Sequence, residues 1–122
     1  EFLTIEEPTD LVGVFQNLAP DIDVVLVDCL TVWLGNLFYS YGDDVSQVRP
    51  QVDRFVAELA HVGQDLILVT NEVGWGIVPE SRMARDFRDL AGYLNQKVAA
   101  AAQNVALCVC GIPLFVKGNS DL

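Results

Sequence analysis

The apolar positions of this chain form short uninterrupted runs that alternate with segments of helical spacing. Three runs are apolar without alternation, which is typical of strands buried on both faces, and they occupy residues 23–28, 65–70 and 104–110. Weaker runs at residues 2–5 and 113–117 allow a short edge strand and a final strand.

Helical spacing fills the segments between these strands. The first helix has apolar residues at i, i+3, i+4 and i+7, with Pro8 near its first turn. Gly63 is expected as the C-cap of the third helix, and Pro79 is expected to open the fourth. The second, third and fourth helices are predicted over residues 30–41, 45–61 and 79–103.

Strands that alternate with amphipathic helices predict an α/β fold of three layers, in which helices cover both faces of a mostly parallel sheet. The 122 residues are few enough for one domain, and no internal repeat or linker divides them. The chain opens on strand-like sequence without a Met, which indicates that it is part of a longer protein. Residues 118–122 are predicted to be a loose tail.

The charge balance narrows the range of partners. Seven basic residues stand against 17 acidic ones, and the net charge of −10 repels phosphate backbones, so nucleic acid is not an expected partner. The apolar stretches are interrupted by Gly or Pro before the roughly 20 residues that a membrane span needs, and no signal-peptide pattern opens the chain. We therefore expect a cytoplasmic protein. Buried free thiols are expected at Cys29, Cys108 and Cys110.

The first candidate for chemistry is the acidic end of the first apolar run, where Asp28 follows four apolar residues. Ligands of parallel sheets bind at the carboxyl ends of the strands. Enzymes of phosphoryl transfer place a carboxylate there to hold Mg²⁺, directly or through water. The alternative is that Asp28 caps the next helix through the backbone N–H groups of Leu30 or Thr31. The residues alone leave both interpretations open.

The second candidate is the polar tip of the next run, residues 70–74. The glycine-rich turn 74–76 follows it, and such a loop can approach a ligand closely. An ordinary strand-to-helix turn with a hydrogen-bonded Asn71 would have the same composition.

The third candidate is the start of the long helix, where Arg82, Arg85 and Arg88 recur every three residues and are expected on one face. Arginines gathered in this way can clamp phosphates. The alternative is that they pair with a neighbouring subunit or with nearby acids, namely Glu80, Asp86 and Asp89.

Two absences limit what the chain can do. It contains no Gly-x-x-x-x-Gly-Lys-Ser/Thr segment, so it cannot by itself form a phosphate-binding loop of that type. The single histidine, His61, is expected at the end of a surface helix, where the helix dipole favours it, rather than in a catalytic role.

Two long segments carry a resemblance to a known family. They are VVLVDCLTVWLGNL at 24–37 and the stretch 68–96, which contains TNEVGWGIVPE and RDFRDLAGYLNQ. Together with TIEEP at 4–8 and GIP at 111–113, they closely resemble the bifunctional adenosylcobinamide kinase/adenosylcobinamide-phosphate guanylyltransferase family. The resemblance covers essentially the whole chain.

The resemblance implies a P-loop NTPase (RecA-like) core in an enzyme of cobalamin biosynthesis that assembles as a homo-oligomer, a trimer. Family members phosphorylate adenosylcobinamide with ATP or GTP, then transfer GMP from GTP onto that phosphate through a guanylylated histidine, with Mg²⁺. By position, Glu6 would match a guanine-nucleotide contact, and Asp28 the acid near the phosphates and Mg²⁺. Further candidate nucleotide or substrate contacts are Asn71, Glu72, Arg82 and Arg85.

The family's P-loop unit and its nucleotide-accepting histidine both precede the position that matches Phe2. Residues 1–122 are therefore expected to form one α/β domain, the carboxyl-terminal part of a longer nucleotide-binding domain, and to be inactive alone. The absent strand would leave unpaired edges and apolar surface, so self-association or binding to another chain is predicted. Two other interpretations are a non-catalytic binding or assembly module and a different P-loop ATPase that shares only the Asp28 strand.

Overall fold

A computed structural model describes residues 2–120 of the chain, so Glu1 and the last two residues of the predicted tail lie outside the described residues. No helix in this range combines the length and the apolar character needed to cross a membrane. The elements in chain order are α1 (Leu11–Gln16), β1 (Val24–Asp28), α2 (Leu30–Ser40), α3 (Val45–Glu58), β2 (Asp65–Val69), α4 (Arg82–Ala101), β3 (Val105–Val109) and β4 (Ile112–Lys117).

The centre of the fold is the parallel pair β1–β2, which confirms the α/β class. Its register runs from Val24 opposite Asp65 to Asp28 opposite Val69. Parallel strands need a crossover connection, and here α2 and α3 supply it. The carboxyl ends of both strands consequently meet at one edge, which we call the carboxyl edge.

The hydrophobic core lies between the parallel pair and the four helices. Phe55 of α3 is fully buried, and its ring centroid lies 5.8 Å from that of Phe15 and 4.7 Å from that of Trp33. It therefore joins α1, α2 and α3. The inward faces of the two strands pack against this core through Val25, Val27, Leu66 and Leu68.

The expectation that the strands are buried on both faces is wrong for the described residues. Exposed and half-buried side chains alternate along β1 and β2, and Val24, Leu26 and Ile67 are 52%, 57% and 53% exposed. The cause is that the described helices cover one face only, which makes two layers rather than three. An apolar run predicts burial by some partner, but it cannot say that the same segment of chain supplies that partner.

The other two strands form a separate antiparallel hairpin, so a single, mostly parallel sheet is also corrected. Its two-residue turn places Cys110 at φ 52° and Gly111 at φ 75°, the left-handed pair that twists a hairpin correctly. Lys117 ties the hairpin to the end of α4 by donating to the carbonyls of Ala99 and Ala100 (2.9 and 3.0 Å). The prediction that the cysteines are buried is also wrong, since Cys108 and Cys110 are exposed and Cys29 is half-buried. All three are free thiols, as predicted.

Several helices and strands begin or end at residues other than those predicted from the sequence. Residues 2–5 form no strand, because no neighbouring strand lies beside them among the described residues, and Pro8 precedes α1, whose N-cap is Asp10. Helix α3 ends at Glu58 with Leu59 as C-cap, so Gly63 caps nothing. Helix α4 starts after Ser81, whose hydroxyl accepts the N–H of Ala84 (3.2 Å), rather than at Pro79. A side-chain cap fixes a helix start more strongly than the permissive effect of a nearby proline.

Candidate functional site

The carboxyl edge of β1–β2 carries the first predicted site residue, Asp28. Its side chain is exposed and makes no hydrogen bond with any residue in the range 2–120, and its peptide bond to Cys29 is cis. The N-cap of α2 is Cys29, which makes no side-chain cap bond. The interpretation of Asp28 as a helix cap is therefore wrong, and its carboxylate is available to a ligand.

A single exposed carboxylate, such as that of Asp28, can contribute to a cation site that takes most of its ligands from elsewhere. Protein-bound Mg²⁺ is commonly held by one or two carboxylates, with substrate phosphates and water as the other ligands. The described residues contain no group of three or more His, Cys, Asp or Glu side chains that could enclose a metal ion by themselves. One carboxylate at a strand end is thus suited to Mg²⁺ carried by a nucleotide, and this role stays a prediction.

The next residues at this edge are Thr70, Asn71 and Glu72, which follow β2 and are called the β2 tip. The Thr31 hydroxyl, in the first turn of α2, accepts hydrogen bonds from the backbone N–H of Asn71 (3.0 Å) and from its side-chain amide (3.1 Å). The β2 tip is thereby tied to the helix that follows Asp28. Asn71 and Asp28 therefore share one edge, as the parallel arrangement requires.

A second tie to the β2 tip comes from Asn95, in the middle of α4. The Asn95 side-chain oxygen accepts the Thr70 hydroxyl (2.6 Å), and its amide donates to the Asn71 carbonyl (3.0 Å) and, at the limit of a hydrogen bond, to the Glu72 carboxylate (3.5 Å). One side chain thus contacts three successive residues of the β2 tip.

An open cavity of about 320 Å³ lies beside the β2 tip. Its walls come from Glu72, Val73 and Gly74 on one side and from one side of α4 on the other. The α4 residues in this wall are Arg88, Asp89, Gly92, Tyr93, Asn95 and Gln96. Arg88 is therefore the arginine that shares a cavity with Glu72.

The three arginines of α4 do not share one face, which corrects the expectation from their spacing. Arg88 lies six positions after Arg82, and at 3.6 residues per turn the two side chains point about 120° apart around the helix. Arg82 lines a different cavity, together with acidic residues that include Asp43 and Asp53. The spacing i, i+3, i+6 drifts around the helix instead of following one side of it.

Each arginine also has a local partner. Arg82 pairs with Asp86 at 3.6 Å, and Arg88 lies 3.9 Å from Asp89. Arg85 donates to the carbonyl oxygens of Pro79 (3.0 Å) and Glu80, which holds the end of the loop that begins at the β2 tip. The pairing with nearby acids that the sequence allowed is therefore present for Arg82 and Arg88, while Arg85 binds backbone.

Arg82 and Arg85 lie away from the β2 tip. Asn95 lies thirteen positions after Arg82 in α4, a distance of about 20 Å along the helix axis. The structure thus brings Asp28, Asn71 and Glu72 to one edge and leaves Arg82 and Arg85 near the start of α4. His61 lies in the turn before β2, at the opposite edge of the parallel pair from Asp28.

Glu6 lies in a segment without regular secondary structure before α1, where it is exposed and makes no hydrogen bond with the described residues. Its neighbour Glu7 is engaged in the next turn, where its carboxylate accepts the backbone N–H groups of Asp10 and Thr9 (both 2.9 Å). These donors, that of Asp10 foremost, lower the pKa of Glu7 below its ordinary value. Of the two adjacent carboxylates, Glu6 is the one that makes no hydrogen bond with the described residues.

Sequence reasoning missed two residues of this edge, Thr31 and Asn95. The sequence pattern points only to the backbone N–H group of Thr31, whereas in the structure its hydroxyl binds Asn71. Asparagine is a poor helix former because its side chain competes for backbone hydrogen bonds. Its presence beside the buried Leu94 in the middle of a long helix was a signal that it has a specific partner.

Fold and site together define an α/β protein of the kind that binds ligands at the carboxyl edge of a parallel strand pair, with an acid and a polar loop at that edge. The family model described as cobinamide kinase / cobinamide phosphate guanyltransferase matches residues 1–116. The chain belongs to this family.

Curated relatives agree with this assignment. The chain is 42% identical to the bifunctional adenosylcobalamin biosynthesis protein CobU of Escherichia coli K12, over 78% of this chain and 59% of the relative. It is 41% identical to the CobU protein of Salmonella typhimurium, over 83% and 61%. The CobP protein of Pseudomonas aeruginosa is 36% identical, over 95% and 66%. The chain thus spans about 59–66% of the length of these relatives.

Proposed function

We propose that this chain is the carboxyl-terminal part of an enzyme that phosphorylates adenosylcobinamide and then converts the product to adenosylcobinamide-GDP. The observation that carries the proposal is the family match over residues 1–116, together with the unpaired Asp28 at the carboxyl edge. In the kinase step, the hydroxyl of the aminopropanol arm attacks the γ-phosphorus of ATP or GTP, and the nucleoside diphosphate leaves.

The second reaction proceeds through two displacements at the α-phosphorus of GTP. A histidine nitrogen attacks it and pyrophosphate leaves, which gives a guanylylated enzyme. A phosphate oxygen of adenosylcobinamide phosphate then attacks the same phosphorus and releases the histidine. Mg²⁺ bound with the nucleotide would neutralise charge on the phosphate oxygens.

The residues of this chain have distinct roles in the proposal. Asp28 holds the Mg²⁺ that accompanies the nucleotide, while Asn71 and Glu72 contact nucleotide or substrate at the same edge. Glu6, free of hydrogen bonds, is proposed as the guanine contact. Arg82 and Arg85 stand about 15 to 20 Å along α4 from Asn95, so they would reach the opposite end of a large substrate or a neighbouring subunit.

We further propose that the P-loop and the guanylylated histidine lie in a segment outside this chain. The relatives are longer than the matched part, and Val24, Leu26 and Ile67 on the outer face of β1–β2 are more than half exposed among the described residues. A strand–loop–helix unit from that segment would cover the exposed face and supply the phosphate-binding loop.

Labelling with GTP tests the proposed function. We expect the full-length protein to form an acid-labile adduct that carries label from [α-³²P]GTP and none from [γ-³²P]GTP, because the transferred group is GMP. Residues 1–122 alone, assayed in parallel, are expected to form no adduct. A full-length protein that neither forms this adduct nor phosphorylates cobinamide would falsify the proposal.

The exposed sheet face supports a second expectation, that residues 1–122 associate when isolated. The large apolar residues on this face include Val24, Leu26 and Ile67, each more than half exposed, and such surface seeks a partner. Light scattering at micromolar concentration should give a mass above that of one chain. Replacing Leu26 and Ile67 by Thr, which retains strand propensity, should shift the mass towards the monomer. A monodisperse monomer from the unaltered chain contradicts this expectation.

A further inference from the structure

The β2 tip has no regular secondary structure to hold it. Residues 70–80 form neither helix nor strand, yet Asn71 and Glu72 in this segment are proposed ligand contacts. A contact residue works best when its geometry is set before the ligand arrives, because a displacement of about 1 Å can cost 100-fold in rate. The hydrogen bonds from outside the tip therefore decide how well it can function.

Asn95 is well placed to supply that geometry. It lies on a 20-residue helix that is anchored in the core by Leu90, Leu94 and Val98. Both ends of its side-chain amide are used, the oxygen by the Thr70 hydroxyl and the nitrogen by the Asn71 carbonyl. The same nitrogen is also the only described group that reaches the Glu72 carboxylate.

We propose that Asn95 is a positioning residue, which orients Asn71 and Glu72 at the carboxyl edge by hydrogen-bonding three successive residues of the β2 tip. It touches no reacting atom itself and acts through the β2 tip. The Thr31 hydroxyl fixes Asn71 from the other side, so the β2 tip is held between α2 and α4. This inference rests on the proposed function, since it assigns how the contacts of that site are held.

The direct test is Asn95→Ala in the full-length protein, with Lys97→Ala as the matched control. Lys97 is exposed on the same helix and contacts the Tyr93 ring instead of the β2 tip. We expect the rate of GMP–protein formation or of cobinamide phosphorylation at saturating substrate to fall about 10- to 100-fold in Asn95→Ala only. The midpoint of thermal unfolding should stay close to that of the control.

Asn95→Asp separates positioning from packing. Aspartate has nearly the same shape and still accepts from Thr70, but it cannot donate to Asn71 and its charge repels Glu72. We expect a rate loss at least as large as that of Asn95→Ala. A rate equal to that of the control would show that only the volume of the side chain matters, which overturns the proposal.

Thr70→Val provides a second approach, because as a single variant it tests the proposal even if the Asn95 variants fold poorly. It removes the hydroxyl group that donates a hydrogen bond to the Asn95 side-chain oxygen, while keeping the size of the side chain. Where Asn95→Ala folds, the two changes are also combined. In the double variant, which combines Thr70→Val with Asn95→Ala, the rate should fall by the larger of the two single-variant factors rather than by their product. The reason is that substitutions of two residues that contact each other do not have independent effects. Full multiplicative losses, or no loss in Thr70→Val, overturn the proposal. If the unaltered protein lacks both activities, the proposed function fails instead.

Discussion

Replacing Asp28 by Asn in the full-length protein is expected to abolish most activity, lowering phosphoryl and guanylyl transfer by about 100-fold or more. The substitution removes a negative charge and keeps the shape. Since the Asp28 carboxylate makes no hydrogen bond with the described residues and caps no helix, the fold should lose little stability. The loss should therefore appear in the chemistry and in its dependence on Mg²⁺.

Both rates should be measured over a series of Mg²⁺ concentrations. Asp23→Asn is the matched control, because Asp23 is also exposed but precedes the amino end of β1, opposite the carboxyl edge. We expect Asp23→Asn to retain nearly full activity. Rates for Asp28→Asn within twofold of this control at all Mg²⁺ concentrations would exclude the metal role.

Replacing Phe55 by Ala should have the largest effect on stability, lowering the free energy of unfolding by about 3–5 kcal/mol. Phe55 is fully buried and packs against the rings of Phe15 and Trp33, so its removal leaves a cavity among three helices. Rigid helix packing limits how far such a cavity can collapse. Urea denaturation of the full-length protein measures the difference.

The neighbouring Arg54→Ala is the control for Phe55→Ala. Arg54 lies on the same helix, and its partly exposed side chain pairs with Asp10 at 3.7 Å. Surface ion pairs of this kind contribute about 0–1 kcal/mol, so the change should stay within that range. If the two variants lose comparable free energy of unfolding, the contacts of Phe55 with Phe15 and Trp33 are not the centre of the core.

The strand and helix content was predictable because apolar runs and helical spacing are local properties. The helices over residues 30–41 and 45–61 occur with only small changes at their ends, at Leu30–Ser40 and Val45–Glu58. The ends of the helices differ from the predicted ones because capping residues decide them. Ser81 caps α4 through its hydroxyl, so the helix begins at Arg82, three residues after the predicted start at Pro79.

The site was partly predictable for a related reason. Asp28 and the residues 70–74 each follow an apolar run, and parallel strands bring such positions to one edge. The divergence of Arg82 and Arg88 follows from their spacing, since six positions turn about 120° around a helix. Their local partners did not follow from it, because side-chain contacts depend on conformations that spacing does not specify. Asn95 was missed because its partners lie 23 to 25 residues away in the chain.

By itself, the sequence determined the α/β class, the family and the acidic strand end at Asp28. All three depend on residue identity and on spacing within about 20 residues. The tertiary structure alone decided that one face of β1–β2 is uncovered and that β3 and β4 form a separate hairpin. It also decided that Thr31 and Asn95 hold the β2 tip. These features arise from contacts between distant segments, and side-chain burial and hydrogen bonding are settled only when those segments meet.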